Sequence, residues 1–256
     1  IHYELPGPPE VMKVINLNIP RPAKNEVLIK VRAAGVNRPD LMQREGIYPA
    51  PKGHSKVLGL EVSGIIKEVG KDVKKFKIGD KVCALLDGGG YAEYSTANVN
   101  QTAKIPDNLS FIEAAGIPEC FMTCWSNLVM RGGLGDKQKV LIHGGSSGIG
   151  TSAIQILKKF KTKIYTTVGN EEKKRFCKEL GADIVVNYND EDFFEIIKKE
   201  CDSGLDIILD MVGGEYVQKN IELLANEGKL INIAYQKGSR TEINLIKVML
   251  KRLTIT

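Results

Sequence analysis

The chain has 256 residues, 43% of them hydrophobic and 26% charged, with a formal net charge of +5. That is ample apolar material for a large core, and no run approaches the length of a membrane-spanning helix, so no membrane partner is expected. Lysines lie among acids, as in Lys158-Lys159, Lys173-Lys174 and Lys198-Lys199-Glu200, which suits solvated helix faces and leaves no basic stripe for a nucleic-acid partner. The five cysteines (Cys83, Cys120, Cys124, Cys177, Cys201) are odd in number and scattered. This argues against a disulfide framework and for reduced thiols in the cytoplasm. The first residues, Ile1-His2-Tyr3-Glu4, carry neither a signal-peptide pattern nor a start Met.

Residues 1 to about 110 read as short strands and turns. Val11 to Ile19 is a predicted strand, and Glu26 to Arg32 alternates polar and apolar residues at period two. Pro20, Pro22 and Asn25 punctuate the interval. Val57 to Gly70 is β-rich with glycines at bends, Phe76 to Leu85 is a turn feeding a strand, and Gly88 to Tyr94 is a glycine loop returning to one. Strands at this spacing predict a partly closed β-domain. At Ser110 the period changes: Ser110 with Glu113 three residues on is a capping-box pattern, and helices are predicted over Phe111 to Ala115 and Cys120 to Met130. The domain boundary is placed here, giving residues 1–115 and 116–256.

Beyond it, strand and helix alternate. Strands are predicted at 140–142, 163–168, 184–187, 206–211, 229–233 and 253–256. Helices are predicted at 149–160, 171–180, 192–199, 215–224 and 245–251. Asn170 is a candidate cap, with Glu171 and Glu172 in the favourable first turn, and Gly181 stops that helix. Repeated β-α units predict an α/β fold with a doubly wound parallel sheet. Its opening unit is Val140-Leu141-Ile142, the turn His143-Gly144-Gly145-Ser146-Ser147-Gly148, and a helix from Ile149. Glycines there allow a sharp turn and close approach to a pyrophosphate, which the helix N-terminus favours. The spacing is G-x-x-G-x-G rather than G-x-G-x-x-G, so the motif alone is a weak signal. Gly145, Ser147, Gly148, Ile149 and Gly150 are the candidate pyrophosphate contacts.

An acid about twenty residues after such a turn holds the ribose hydroxyls of NAD. Thr166-Thr167-Val168-Gly169-Asn170 has none at the strand end. Lys173, one helical turn beyond Gly169, could reach a 2′-phosphate, and Asn170 could donate an amide hydrogen, so NADPH is favoured over NADH. The alternative for Lys173 is a solvated helix lysine. Met211 and Val212, in a strand-end turn, are candidates to shield a nicotinamide, and Ile233 to Tyr235 ends the next strand at the same edge of the cofactor site; packing alone is the alternative. A short-chain dehydrogenase would need Tyr-x-x-x-Lys. Tyr165, Tyr188, Tyr216 and Tyr235 are followed at that spacing by Gly169, Asp192, Asn220 and Ser239.

Asn37 to Arg44, Leu58 to Glu61, Ile78 to Asp80, Leu85 to Gly90, Ile117 to Glu119, Leu141 to Gly150 and Asp210 to Gly214 together resemble the zinc-free quinone oxidoreductases of the medium-chain dehydrogenase/reductase superfamily. The resemblance runs the length of the chain. It implies an N-terminal β-rich, GroES-like catalytic domain and a Rossmann dinucleotide domain. It further implies a homodimer and transfer of a hydride or electrons from NADPH to a quinone or enone. Family chains continue past the position of Thr256 and return to the catalytic domain; that return segment is missing from this sequence. Zinc relatives place ligand Cys and His where this chain has Asn37 and Leu60, neither of which can replace thiolate or imidazole, so no metal is expected. The family pattern places Asn37 and Tyr48 as donors to the acceptor's developing oxyanion, Thr123 near the nicotinamide, and Tyr188 near the adenosine phosphate. For Tyr48 and Thr123, simple packing is the alternative. Two other readings stay open: an enoyl or alkenal reductase, and a non-catalytic NADPH- or RNA-binding protein.

Overall fold

The computed structural model describes residues 1–50, 53, 55 and 57–256 and divides the chain into two units, Ile1–Glu119 and Cys120–Thr256. In the first, β1 (Glu26–Ala34), β2 (Glu61–Val69), β3 (Lys81–Leu85), β4 (Tyr94–Asn98) and β5 (Thr102–Lys104) form an antiparallel sheet in the order β4-β1-β2-β3-β5. Alternating apolar residues point inward, and Val27, Ile29, Val62, Ile66, Val82 and Ala84 are fully buried. Gly64 on β2 faces Val31 on β1, and a Cβ there would lie 2.2 Å from Lys30 O; only glycine permits this approach. Helix α1 (Arg38–Glu45) ends at Gly46, whose φ of 80° provides the left-handed C-cap. Helix α2 (Phe111–Ala115) opens with the Ser110–Glu113 capping box expected from the sequence. Helix α3 (Pro118–Cys124) follows, and Trp125–Arg131 continues it as a π-helical stretch, together covering the helix expected over Cys120 to Met130.

The strand predicted at 11–19 does not form. Pro9–Val11 is a single 3-10 turn, and one isolated bridge, His2 to Lys13, is the pairing found there among the described residues. A strand needs a neighbour for its backbone donors and acceptors, and a groove of about 830 Å³ lies between residues 14–20 and residues 31–34 and 91–96. Val14 is accordingly 85% exposed despite its apolar side chain.

In the second unit, β6 (Lys139–His143), α4 (Gly148–Lys159), β7 (Lys163–Val168), α5 (Glu171–Leu180) and β8 (Ile184–Asn187) are followed by α6 (Phe193–Glu200), β9 (Leu205–Asp210), α7 (Tyr216–Leu223), β10 (Leu224–Asn232), α8 (Leu245–Lys251) and β11 (Thr254–Ile255). All six strands are parallel, in the order β11-β10-β9-β6-β7-β8. This is the expected doubly wound sheet. Period two along β6 sends Val140 and Ile142 into one core, with Ile154 and Leu157 of α4, and Leu141 into the other, with Phe193 and Ile197 of α6. The chain runs from β6 outward through β7 and β8, then restarts at β9 on the other side of β6. The switch point therefore lies between β6 and β9, and ligands of such sheets bind at the strands' carboxyl ends there. Among the described residues no helix is long and apolar enough to cross a membrane.

Candidate functional site

At the carboxyl end of β6 the chain turns at Gly144, whose φ is 75°. The N–H groups of Gly144 and Gly145 both donate to Thr167 O, at 3.1 and 3.0 Å, fixing the turn to β7. A Cβ on Gly145 would sit 2.1 Å from Thr166 Oγ1, and one on Gly150 would sit 2.3 Å from Gly144 O. The turn thus has no room for side chains where it meets sheet and helix. Ser147 is the N-cap of α4: its Oγ accepts from Gly150 N at 3.0 Å and donates to Gly144 O at 2.7 Å. The N–H groups of Gly148 and Ile149, in the first turn, lie outside the intrahelical ladder. Gly148 is exposed. The backbone here is a cradle for an anion.

Asn170 caps α5, its Oδ1 accepting from Lys173 N at 2.8 Å. Lys173 is exposed and forms no ion pair among the described residues, whereas the neighbouring Lys174 is held by Glu191 at 2.7 Å. Tyr188 is half-exposed and its hydroxyl lies over Gly169, 2.7 Å from where a Cβ would be. Across the switch point, Met211 is buried with its sulfur 3.1 Å from the Cβ position of Gly144, and Val212 is half-buried. Ile233 is half-buried against the first core, and the exposed Tyr235 covers Gly213. Thr123 is half-buried on α3, its carbonyl accepting from Asn127 Nδ2. The structure thus gathers Gly145, Ser147, Gly148, Ile149 and Gly150 in one turn, Asn170, Lys173 and Tyr188 around the end of β7, and Met211, Val212, Ile233 and Tyr235 at the ends of β9 and β10.

In the first unit, Asn37 precedes α1. Its Nδ2 donates to Glu61 Oε1 at 2.8 Å, while Glu61 Oε2 accepts from Glu119 N at 2.8 Å. Asp40 Oδ2 accepts from Asn37 N (2.8 Å) and Tyr91 Oη (2.9 Å), and its Oδ1 from Gly59 N (3.1 Å). Asp40 and Glu61 are each 2% exposed. Burial raises both carboxyls above their ordinary range, against the lowering effect of these donors. Glu119 is pushed up to about 6, first by burial and then by the charges of Glu61 and Asp40. Burial and Asp40 also raise the Tyr91 phenol. Tyr48 is half-exposed in the turn after α1, its N–H donating to Met42 O, and among the described residues no hydrogen bond joins it to Asn37. Sequence reasoning named Asn37 but not Glu61, Asp40, Tyr91 and Glu119 as its setting. The available signal was Glu61 itself, an acid opening an otherwise apolar run.

The donor chemistry here does not fit zinc. Asn37 presents an N–H to Glu61 where a ligand would present a lone pair, Leu60 has no donor atom, and no group of three His, Cys, Asp or Glu is arranged to hold a metal ion among the described residues. His54 lies outside the described residues. The glycine turn, in contrast, fits a dinucleotide: Gly145 and Gly150 let it pack closely on sheet and helix, and its backbone N–H groups open at the switch point of the sheet.

Residues 23–107 match the family described as alcohol dehydrogenase GroES-like domain, and residues 148–256 that described as zinc-binding dehydrogenase. Human quinone oxidoreductase is 34% identical over 254 residues, covering 97% of this chain and 76% of that protein. The crystal structure of Escherichia coli quinone oxidoreductase complexed with NADPH matches with a TM-score of 0.86 at 28% identity, covering 99% of this chain and 78% of that one. The crystal structure of CurK enoyl reductase matches with a TM-score of 0.87 at 27% identity, with coverage of 99% and 78%. A cradle for a dinucleotide, a GroES-like unit and these likenesses agree: the chain belongs to the quinone oxidoreductases of the medium-chain dehydrogenase/reductase superfamily.

Proposed function

We propose that this protein reduces a quinone-like acceptor at the expense of NADPH and without zinc. The observation that carries the cofactor is the anion cradle at 144–150 beside a β7 end that has no acid and an exposed Lys173 that forms no ion pair among the described residues. NADPH supplies the hydride. Gly145 and Ser147 to Gly150 hold its pyrophosphate, Lys173 and Asn170 its 2′-phosphate, and Tyr188 lies on the adenosine side. Met211, Val212, Ile233, Tyr235 and Thr123 shield the nicotinamide. A quinone is already electrophilic, and reduction leaves negative charge on its oxygen, which needs hydrogen-bond donors rather than a Lewis acid. Asn37 and Tyr48 are the proposed donors. Glu61 takes one N–H of the Asn37 amide and fixes its orientation, leaving the second N–H for the acceptor. A cytoplasmic setting and a second copy of the chain as partner complete the reading.

Steady-state oxidation of NADPH and of NADH with 1,2-naphthoquinone, with and without chelator, tests it. NADPH is expected to be preferred and chelator to have no effect. Lys173→Ala is expected to raise KM for NADPH about tenfold, the loss of one charge-assisted bond, and to leave NADH unchanged. Unchanged KM for NADPH would remove Lys173 from the phosphate. Unchanged quinone turnover in Asn37→Ala and Tyr48→Phe would remove the two donors. The likeness to an enoyl reductase supports one other reading, reduction of an activated C=C bond. Turnover of an enone with none of a quinone would favour it.

A further inference from the structure

Four neighbouring strands of the second unit carry polar residues at their carboxyl ends that bond sideways across the sheet. In the order β10, β9, β6, β7 these are Asn232, Asp210, His143 and Thr167. Asn220 of α7 bridges the middle pair. Asn232 Nδ2 and Asn220 Nδ2 donate to Asp210 Oδ2, at 3.1 and 3.3 Å. Asn220 Oδ1 faces His143 Nε2 at 2.9 Å, and Thr167 Oγ1 faces His143 Nδ1 at 3.0 Å. His143, Asp210 and Asn220 are wholly inaccessible, and the imidazole is boxed edge-on by the rings of Phe193 and Tyr216.

The proton positions follow from the partners. Asp210 also accepts from Val212 N (2.7 Å) and Gly213 N (3.3 Å), so its carboxyl is an acceptor on every side. That fixes the Asn220 amide with Nδ2 toward Asp210 and Oδ1 toward His143. His143 Nε2 must then carry a hydrogen, and Nδ1 takes the hydroxyl hydrogen of Thr167. Burial disfavours the charged imidazole, against the pull of Asp210, and the titratable Tyr216 packs edge-on against it. Thr167 and Asp210, on either side of His143, each hold a turn. Thr167 O accepts from Gly144 N and Gly145 N, with a longer bond of 3.4 Å from Gly144 N to Thr167 Oγ1. Asp210 anchors the turn of Met211 to Gly214, whose Met211 sulfur packs against Gly144.

We propose that His143, as its neutral Nε2–H tautomer, is a positioning residue that couples the glycine turn at 144–150 to the turn at 211–214. The coupling sets the spacing of two backbone segments that grip the dinucleotide, a consequence that rests on the cofactor reading above. The test uses the full chain, with Thr167→Val, which keeps the branched shape and removes the hydroxyl, and Thr167→Ser, which restores it. Nitrogen-15 spectra of the free protein at neutral pH should show His143 protonated at Nε2 only. Thr167→Val should speed amide exchange about tenfold at Gly144 and also at Val212 and Gly213, on the far side of His143, and raise the calorimetric Kd for NADPH about tenfold. Thr167→Ser should reverse both effects. A hydrogen on Nδ1, or faster exchange confined to Gly144, would overturn the coupling. So would a lowered Tm with unchanged exchange and Kd, which is what a merely structural hydroxyl would give. A wild-type chain that binds no NADPH overturns the cofactor reading and its consequence, and the exchange data then decide the coupling by themselves.

Discussion

Glu119 lies beside two other carboxyl groups at the start of α3, and its affinity for a proton records that. Its folded value is pushed from 4.5 to about 6 by burial and by Glu61 and Asp40. Between those values the folded chain binds more protons than the unfolded one, so this contribution to stability is fully present below pH 4.5 and lost as pH rises through 6. Asp40 and Glu61, also raised, act in the same direction. Asp80 and Glu113, which are lowered, act in the opposite direction, at pH values below the ordinary carboxylate range. Glu119→Gln keeps the shape and removes the charge. It should stabilise the protein by on the order of 1–2 kcal/mol near neutral pH and by only about 0.4 kcal/mol near pH 4.5. Urea unfolding midpoints at the two pH values check this, and an equal gain at both would show that the gain is not electrostatic. The sequence contained Asn37 as a candidate donor, but not the carboxylate that orients it. Asn37 and Glu61 are 24 residues apart, and only the sheet brings them to 2.8 Å.

At the scale of elements, the joint between β6 and α4 combines a cap with a close approach. Ser147 both caps Gly150 N and closes the turn onto Gly144 O. Ser147→Ala should cost about 1 kcal/mol of stability and weaken NADPH binding as the turn loosens. Gly145→Ala should cost more, about 1–3 kcal/mol, because Thr166 cannot yield: it is fully buried and its hydroxyl is bound to Ile142 O at 2.7 Å. Chemical denaturation of the two variants orders these costs, and a Gly145→Ala protein as stable as the wild type would mean that the turn can shift. This joint was legible in the sequence because strands buried on both faces are continuous apolar runs and glycines must punctuate them. Residues 11–19 misled for a related reason. Their apolar content suits a strand, but content does not supply a neighbour to pair with. The π-helical stretch Trp125–Arg131 has no distinguishing pattern of residues, since an apolar helix face looks much the same at either pitch.

For the whole molecule, cofactor choice becomes a stability difference that needs no acceptor and no turnover. A ligand that binds only the folded chain stabilises it by RT ln(1 + [L]/Kd), about 2.7 kcal/mol at 100 times Kd. For a chain of this size that corresponds to a rise in Tm of about 5–10 °C. If Lys173 contributes one charge-assisted bond to the 2′-phosphate, NADH binds about tenfold more weakly, and at the same concentration should give about half the shift. Lys173→Ala should bring the NADPH shift down to the NADH value and leave the NADH shift unchanged. Because Lys173 is exposed, added salt should narrow the gap between the two cofactors as screening grows. Equal shifts for NADPH and NADH in the wild type would mean that the missing acid at the end of β7 relaxes selectivity without reversing it. A gap that survives Lys173→Ala would move the phosphate contact to another donor, with Asn170 and Tyr188, which flank the same strand end, the next to replace.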